Sequence, residues 1–165
     1  MRVYLPATST MLADLLESGV VGPAPLTGFA VTPELREWYV DEDAEALEYA
    51  AAMEAARGSL RLLDSDPAAA RRRVVIAADV SDGLVTVRDD LDRGVVYVGE
   101  PVPLAAIAAV HADDADAEQT VAAAADSIIA ADLGSEPAQE LVDDAEGFEL
   151  AWYANQEIAA LLDSL

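Results

Sequence analysis

The sequence predicts an α+β fold in which helices pack on one face of a mixed or antiparallel sheet, as in a ferredoxin-like or related two-layer sandwich. Strand-like and helix-like segments alternate along the 165 residues, a length that fits a single domain spanning 1–165. Both ends of the chain also share one order of elements: a strand, a helix and a loop precede a Gly-Phe pair that opens a second strand, at Gly28 and at Gly147. This order is typical of split βαβ units, and a doubly wound parallel sheet is the alternative.

The beginning of the chain predicts two strands, each followed by a helix. The apolar run 3–5 is the first strand, and the hydroxyl groups of Thr8–Thr10 are N-caps for a helix that ends at Gly19. A second strand covers 28–31. Pro33 follows it in the first turn of the next helix, where proline is favoured.

The longest predicted helix runs from about Asp41 to Leu63, because this stretch has no Pro and a single Gly. Asp41, Glu42 and Asp43 load its N-terminal turn, where carboxylates interact favourably with the helix dipole. Its apolar residues recur at steps of four and three, which places them on one face of the helix. These residues are Tyr49, Met53, Ala56, Leu60 and Leu63.

Three further apolar runs in the middle of the chain predict strands. Residues 74–78 form a continuous apolar run, which is typical of a strand buried on both faces. Residues 95–98 form a strand rich in β-branched side chains. We also interpret 107–112 as a strand, because it runs directly into a helix start.

The last third of the chain predicts helices and one more strand. Asp113 and Asp114 are natural caps for an Ala-rich helix over about 116–131, which a short acidic helix follows. Residues 148–153 are strand-like. Asn155 is positioned to cap a last helix that contains Ile158, Leu161 and Leu162.

The net charge of −23 comes from 32 acidic residues against nine Arg and no Lys. The last Arg is Arg93, so residues 94–165 carry 15 acids without Lys or Arg. Such a field repels phosphate backbones and anionic lipids, and we expect neither nucleic-acid nor membrane partners. The acids either form a solvated surface set by the composition of the host's proteins, or form an acidic face that docks a basic partner or mimics nucleic acid.

Three features of the sequence predict the cellular compartment of the protein. The lack of cysteine excludes a disulfide framework, a thiolate metal site and a Cys nucleophile, and it fits a reducing compartment. The first residues show no charged region followed by an apolar run, so we expect no signal peptide. No run of about 18 uninterrupted apolar residues predicts a membrane span. Together these features predict a cytoplasmic protein.

The sequence predicts no catalytic residue, no metal site and no cofactor. His111 is the only histidine, and beside the acids of 113–118 it is a candidate general base or pH-sensitive group whose pKa we expect those acids to raise. A half-buried strand residue is the simpler interpretation. The acidic runs 89–92 and 113–118 lack the ligand spacing of a calcium-binding loop, so capping and turn formation explain them.

Two polar segments are candidates for binding a small anion. One lies where the first strand meets a helix N-terminus, whose amide groups bind phosphate or carboxylate. The other is a run of three arginines, able to hold an anionic ligand or an acidic patch of a second subunit. Helix capping and a solubilising strand flank are the alternative interpretations. With the histidine, the candidate ligand-binding residues are Thr8, Ser9, Thr10, Arg71, Arg72, Arg73 and His111.

Short segments spread over the whole chain carry a resemblance to a known family. They are MRVYLPAT at 1–8, TPEL at 32–35, RVVIAADV at 73–80, VHADD at 110–114 and LAWY at 150–153. These segments resemble a family of small, uncharacterised actinobacterial proteins. The resemblance implies a cytoplasmic protein of unknown function, and it supplies no active-site residue to carry over.

The sequence therefore favours a non-enzymatic interaction or regulatory module that associates with itself or with a protein partner. The Trp-Tyr pairs at 38–39 and 152–153 are interpreted as core or interface aromatics. The alternative is a binding module or enzyme for a small anionic ligand.

Overall fold

Strands and helices alternate along the chain in the computed structural model, which describes residues 1–40 and 43–165. The strands in this part of the chain are β1 (Arg2–Ala7), β2 (Val20–Val21), β3 (Leu26–Phe29), β4 (Val74–Asp79), β5 (Val85–Val87), β6 (Val95–Val98), β7 (Val102–Pro103), β8 (Ile107–Ala112) and β9 (Ala151–Ala154). The α-helices are α1 (Ser9–Ser18), α2 (Pro33–Trp38), α3 (Ala44–Ser65), α4 (Glu118–Asp132), α5 (Glu136–Glu146) and α6 (Ile158–Ser164).

Seven strands form one sheet in the order β5-β6-β3-β1-β4-β8-β9, and each neighbouring pair is antiparallel. β1 lies at the centre and pairs along its whole length with β4. β2 and β7 form a separate two-stranded ribbon. The predicted α+β class with an antiparallel sheet is confirmed. The doubly wound alternative is wrong, because it requires parallel strands.

Helices cover both faces of this sheet. On one face, α1, α6 and the β2–β7 ribbon pack on strand side chains that include Val3, Ile76 and Val110. On the other face, α3 packs on the alternate side chains, among them Tyr4 and Val75. The ferredoxin-like detail is not confirmed, because the predicted sandwich places helices on one face only.

α4 and α5 form a helical hairpin that packs against the C-terminal half of α3. Its core combines Leu60 and Leu63 of α3 with small side chains of the hairpin, such as Ala124 and Ala145. Alanine lets two helix backbones approach closely, so the Ala-rich composition of this part of the sequence has a direct packing role.

The face of α3 that contacts the sheet differs from the predicted face at its N-terminal end. Three of the predicted positions, Ala56, Leu60 and Leu63, are buried. Tyr49 instead keeps 55% of its surface exposed, because Ala51 and Ala55 contact the sheet from another side of the helix. Tyr49 is therefore left along an edge of this helix half.

Side-chain caps begin four of the described helices. Thr8, Thr32, Asp43 and Ser135 each accept a hydrogen bond from the backbone N–H three residues later, at the start of α1, α2, α3 and α5. The other two acids predicted for the first turn of α3, Asp41 and Glu42, lie outside the described residues.

Three residues predicted as caps, Asn155, Asp113 and Asp114, do not cap a helix with their side chains. The Asn155 side-chain amide donates to the backbone carbonyl groups of Leu104 and Ile107, at 2.7 and 2.9 Å, and so ties the start of β8 to the end of β9. Asp113 belongs to a buried ion pair described below. Asp114 precedes a single turn of 3-10 helix without a capping bond from its side chain.

Candidate functional site

Arg71 and Arg72 contact other parts of the same chain. The guanidinium of Arg71 donates to backbone carbonyl groups of three residues in 63–69, at and just beyond the C-terminal end of α3. The last carbonyl groups of a helix lack the usual N–H partner four residues later, so the guanidinium of Arg71 acts as a C-terminal cap of α3. Arg72 pairs with the carboxylate of Glu118, with Nη2 and Oε1 2.8 Å apart.

Arg73 forms an ion pair with Asp113 that is buried on both sides, each residue being 1% exposed. Nε and Nη2 of Arg73 donate to the two carboxylate oxygens at 2.8 Å, and the backbone N–H of Arg73 donates to the same carboxylate. Nη2 also donates to the backbone carbonyl of Phe148 at 3.0 Å. This two-pronged geometry is the strongest form of such a pair. It joins the start of β4 to the end of β8.

The predicted helix start and the arginine run lie side by side. Oγ of Ser9 accepts a hydrogen bond from the backbone N–H of Ala70 at 2.8 Å. Thr8 is the buried N-cap of α1, while Thr10 is exposed. The structure thus brings the two candidate anion-binding segments together, with their polar groups largely used by internal contacts. Anion binding by Thr8, Ser9, Thr10 and the three arginines stays a prediction.

His111 lines a pocket of about 220 Å³ between the sheet and the N-terminal half of α3. Val75 and His111 are paired across β4 and β8, so their side chains point to the same face of the sheet. We call the cavity the His111 pocket. Its lining includes Tyr4, Val75, His111, Glu48, Glu149 and Leu150.

Burial lowers the pKa of His111, and the positive charge of Arg2 lowers it further. The expectation that nearby acids raise this pKa is therefore wrong. Those acids follow the end of β8, and Asp113 among them is neutralised by Arg73. Burial also raises the pKa of Tyr4, and the carboxylate of Glu48 adds to that effect. The imidazole and the phenol are thus both neutral near pH 7.

A larger hollow, the α3 groove, runs along the other side of α3 and has a volume of about 1050 Å³. Glu45, Tyr49 and Met53 line both the groove and the His111 pocket, so the two cavities meet at one edge of the helix. The groove continues toward the C-terminal end of α4 and includes the side chain of Tyr39. Its acidic lining residues are Asp43, Glu45, Glu54, Asp92, Asp132 and Glu146.

Negative charge dominates the α3 groove. Two cations line it, Arg57 and Arg61, and both bond to Asp132 at distances of 2.8 to 3.1 Å. These bonds lower the pKa of Asp132, the contact with Arg61 having the largest effect. Burial raises the pKa of Glu54, and the negative charge of Asp92 raises it further. Arg57 and Arg61 act in the opposite direction, but their effect is smaller than that of burial.

The residues of the α3 groove carry no motif in the sequence. Their signal is a helical period: Glu45, Tyr49 and Met53 follow one another at steps of four, which marks one edge of a helix. The same period was assigned to the core in predicting the fold, because an exposed Tyr-Met edge and a buried one have the same spacing. Asp92 and Glu146 come from other elements and have no such signal.

A comparison with protein families finds a match over residues 1–162 to the family of unknown function DUF6912. The chain belongs to this family. Membership in DUF6912 confirms the predicted relation to a family without known function, while an actinobacterial origin stays a prediction. Neither the curated proteins nor the solved structures that were compared match the chain.

Two general features concern the residues described by the structure, 1–40 and 43–165. None of their helices has the length and apolar character needed to cross a membrane. Their His, Asp and Glu side chains form no group of three or more that could hold a metal ion.

Proposed function

We propose that this member of DUF6912 is a non-enzymatic interaction module that binds a basic segment of a protein partner in the α3 groove. One observation supports this proposal above the others. Among the residues that the structure describes, six carboxylates line the groove, and the two arginines beside them are both bonded to the carboxylate of Asp132. The groove therefore offers several carboxylates to a Lys or Arg side chain of a partner.

Charge complementarity acts at two distances. The net charge of −23 attracts a basic partner from afar and speeds association at low salt. At contact, the exposed rings of Tyr39 and Tyr49 can pack against guanidinium groups. Met53 supplies an adaptable apolar surface between them. In the α3 groove, a basic segment would form ion pairs with the carboxylates and apolar contacts with these side chains.

The proposal is tested with a short peptide of alternating Lys and Ala, titrated calorimetrically at low salt. We expect saturable binding, and none of the Glu-Ala peptide of equal length. The triple variant Glu54→Gln/Asp92→Asn/Glu146→Gln removes groove carboxylates while keeping their shapes. Exposed ion pairs are each worth about 0.5 kcal/mol, so binding should weaken by about tenfold.

A matched control separates the groove from the overall charge. The variant Asp14→Asn/Glu17→Gln/Asp163→Asn removes the same three charges from exposed positions on α1 and α6, which cover the opposite face of the sheet. It should keep most of the affinity. Equal weakening in both variants would show that the peptide senses only the net charge, and the groove would then have no specific role.

Self-association and a cytoplasmic location remain proposals. Ile129 and Leu133, one helical turn apart at the end of α4, are 52% and 84% exposed, and they support self-association. Light scattering across a salt series tests it, and a monomer at every salt concentration would count against it. The cytoplasmic proposal is supported by the lack of cysteine.

A further inference from the structure

We propose that the His111 pocket is a binding site for a small organic ammonium ion with a short aromatic body. This ligand differs in kind from the basic protein segment proposed for the α3 groove, although the two cavities share Glu45, Tyr49 and Met53 along one edge of α3. The shape, the charge and the apolar walls of the pocket each support one part of the inference.

The shape is set by three elements that meet around His111. Tyr4 of β1, Val75 of β4 and His111 of β8 form the floor on one face of the sheet. Residues 45–53 of α3 form one wall, and Glu149 with Leu150 form another. The volume of about 220 Å³ lies below the range of about 300–1,000 Å³ typical for drug-sized ligands, so the occupant is small.

The charges of the pocket favour a cation. Glu45, Glu48 and Glu149 contribute three carboxylates, and the described lining includes neither Arg nor Lys. Arg2 acts on His111 from outside this lining, and its guanidinium is bonded to Asp79 at 2.7 and 3.1 Å. An anion would meet uncompensated carboxylates in the pocket. An ammonium group would meet acceptors on several sides.

His111 suits such a ligand because it is neutral. A neutral imidazole keeps one nitrogen as a hydrogen-bond acceptor and does not repel a cation. Burial and the positive charge of Arg2 account for this neutral state. The phenol of Tyr4 also remains protonated and adds no negative charge, so the carboxylates at the rim set the charge of the pocket.

The walls below the carboxylates favour an aromatic body. Val75, Ala52 and Leu150 supply aliphatic surface, and Met53 supplies a thioether. Thioether sulfur makes favourable contacts with aromatic rings. The ligand that fits these features has its ammonium group at the glutamates and its ring against the apolar walls.

The test uses phenethylamine as the probe and NMR as the readout. His111 is the only histidine, so its ring protons give one assignable pair of signals that report on this pocket alone. We expect saturable shifts of these signals and of the backbone amides of Ala52, Val75 and Leu150. Phenylethanol and phenylacetate have a closely similar aromatic body, with a neutral hydroxyl group and a negative carboxylate in place of the ammonium group. Phenylethanol should bind more weakly than phenethylamine, and phenylacetate more weakly still.

Two variants localise the binding. Glu48→Gln should weaken the binding of phenethylamine by about fivefold, because it removes a carboxylate next to Tyr4. The control Glu17→Gln on α1 should leave the affinity unchanged. Ala52→Leu fills the pocket without changing the charge and should abolish the shifts. No saturation in the wild type, or equal affinity for phenylethanol, would overturn the inference. The Lys-Ala peptide titrated against the same samples shows separately whether the α3 groove binds its basic segment.

Discussion

Asp113 shows at the scale of single residues how a charge becomes essential once it is buried. The pair with Arg73 has lost its water, and three hydrogen bonds from Arg73 to one carboxylate compensate for that loss. Taking two charges out of water costs several kcal/mol per ion, so the pair itself adds little net stability. Removing one partner is costly, because the other charge stays buried without compensation.

We expect Asp113→Ala to lower the free energy of unfolding by about 3–5 kcal/mol, because it leaves the guanidinium of Arg73 buried beside an empty acceptor site. Urea unfolding followed by tryptophan fluorescence measures this loss. The matched control is Asp90→Ala, which breaks the exposed pair with Arg88 and should cause no measurable loss. The double variant Arg73→Met/Asp113→Leu should recover much of the stability. A single variant as stable as the wild type would contradict this account.

The sequence pattern placed Arg73, Asp113 and His111 at or next to the correct strands, but it did not predict their contacts. Arg73 and Asp113 are 40 positions apart, and their pairing depends on β4 lying beside β8, which no local pattern indicates. The pKa of His111 was predicted in the wrong direction for a related reason. Proximity in sequence suggested acidic neighbours, whereas burial on the sheet governs the titration of the imidazole.

At the scale of elements, the close packing of α3 on β1 depends on a glycine in the helix. A Cβ atom placed on Gly58 would lie 2.7 Å from Cγ and 3.1 Å from Cβ of Pro6 in β1. The Pro6 ring is rigid, so either the helix or the strand would have to move. The next residue, Ser59, donates to the carbonyl of Ala7 at 2.7 Å and accepts from the N–H of Val74 at 3.1 Å, which fixes the same spacing.

Gly58→Ala should therefore destabilise the protein by about 1–3 kcal/mol through overpacking. The sign is informative, because replacing glycine by alanine inside an unobstructed helix stabilises it by about 1 kcal/mol. Thermal unfolding followed by circular dichroism measures the change. Gly83→Ala is a control at a position where a new Cβ meets no atom within 4 Å. A higher melting temperature for Gly58→Ala would show that α3 can move away from β1.

Strands and helices with a long apolar pattern could be predicted from the sequence, whereas strands of two or three residues could not. The strands at 74–78, 95–98 and 107–112 appear close to their predicted bounds, and so do α1, α3 and α4. The ribbon of β2 with β7 has two residues in each strand, too few for any periodicity. β5 was missed as well, because its three residues Val85–Val87 lie between turns and pair only with β6. The order of the strands depends on contacts between distant segments, and so do both cavities beside α3.

At the scale of the whole molecule, repulsion between like charges lowers the stability of the folded state. The folded chain holds a net charge of −23 in a small volume, and its C-terminal part from 94 to 165 has 15 acids without Lys or Arg. Ion pairs offset a part of this repulsion, such as those of Arg57 and Arg61 with Asp132. Unfolding moves the like charges apart, so repulsion favours the unfolded chain at low salt.

Added salt should therefore stabilise this protein. Between about 0.01 M and about 0.2 M NaCl the Debye length falls from about 30 Å to below 10 Å, which screens most of the repulsion between distant surface charges. A gain of about 1 kcal/mol raises the melting temperature of a chain of this size by about 2–4 °C, a change that calorimetry measures readily. The buried pair of Arg73 with Asp113 is shielded from the solvent and should be little affected. Screening is nearly complete at the upper concentration, so the rise should level off there, whereas stabilisation by exclusion of salt from the surface would continue to increase. A melting temperature that falls over the same range would contradict this account. It would mean that the attraction between the acids and the few arginines is stronger than the repulsion among the acids.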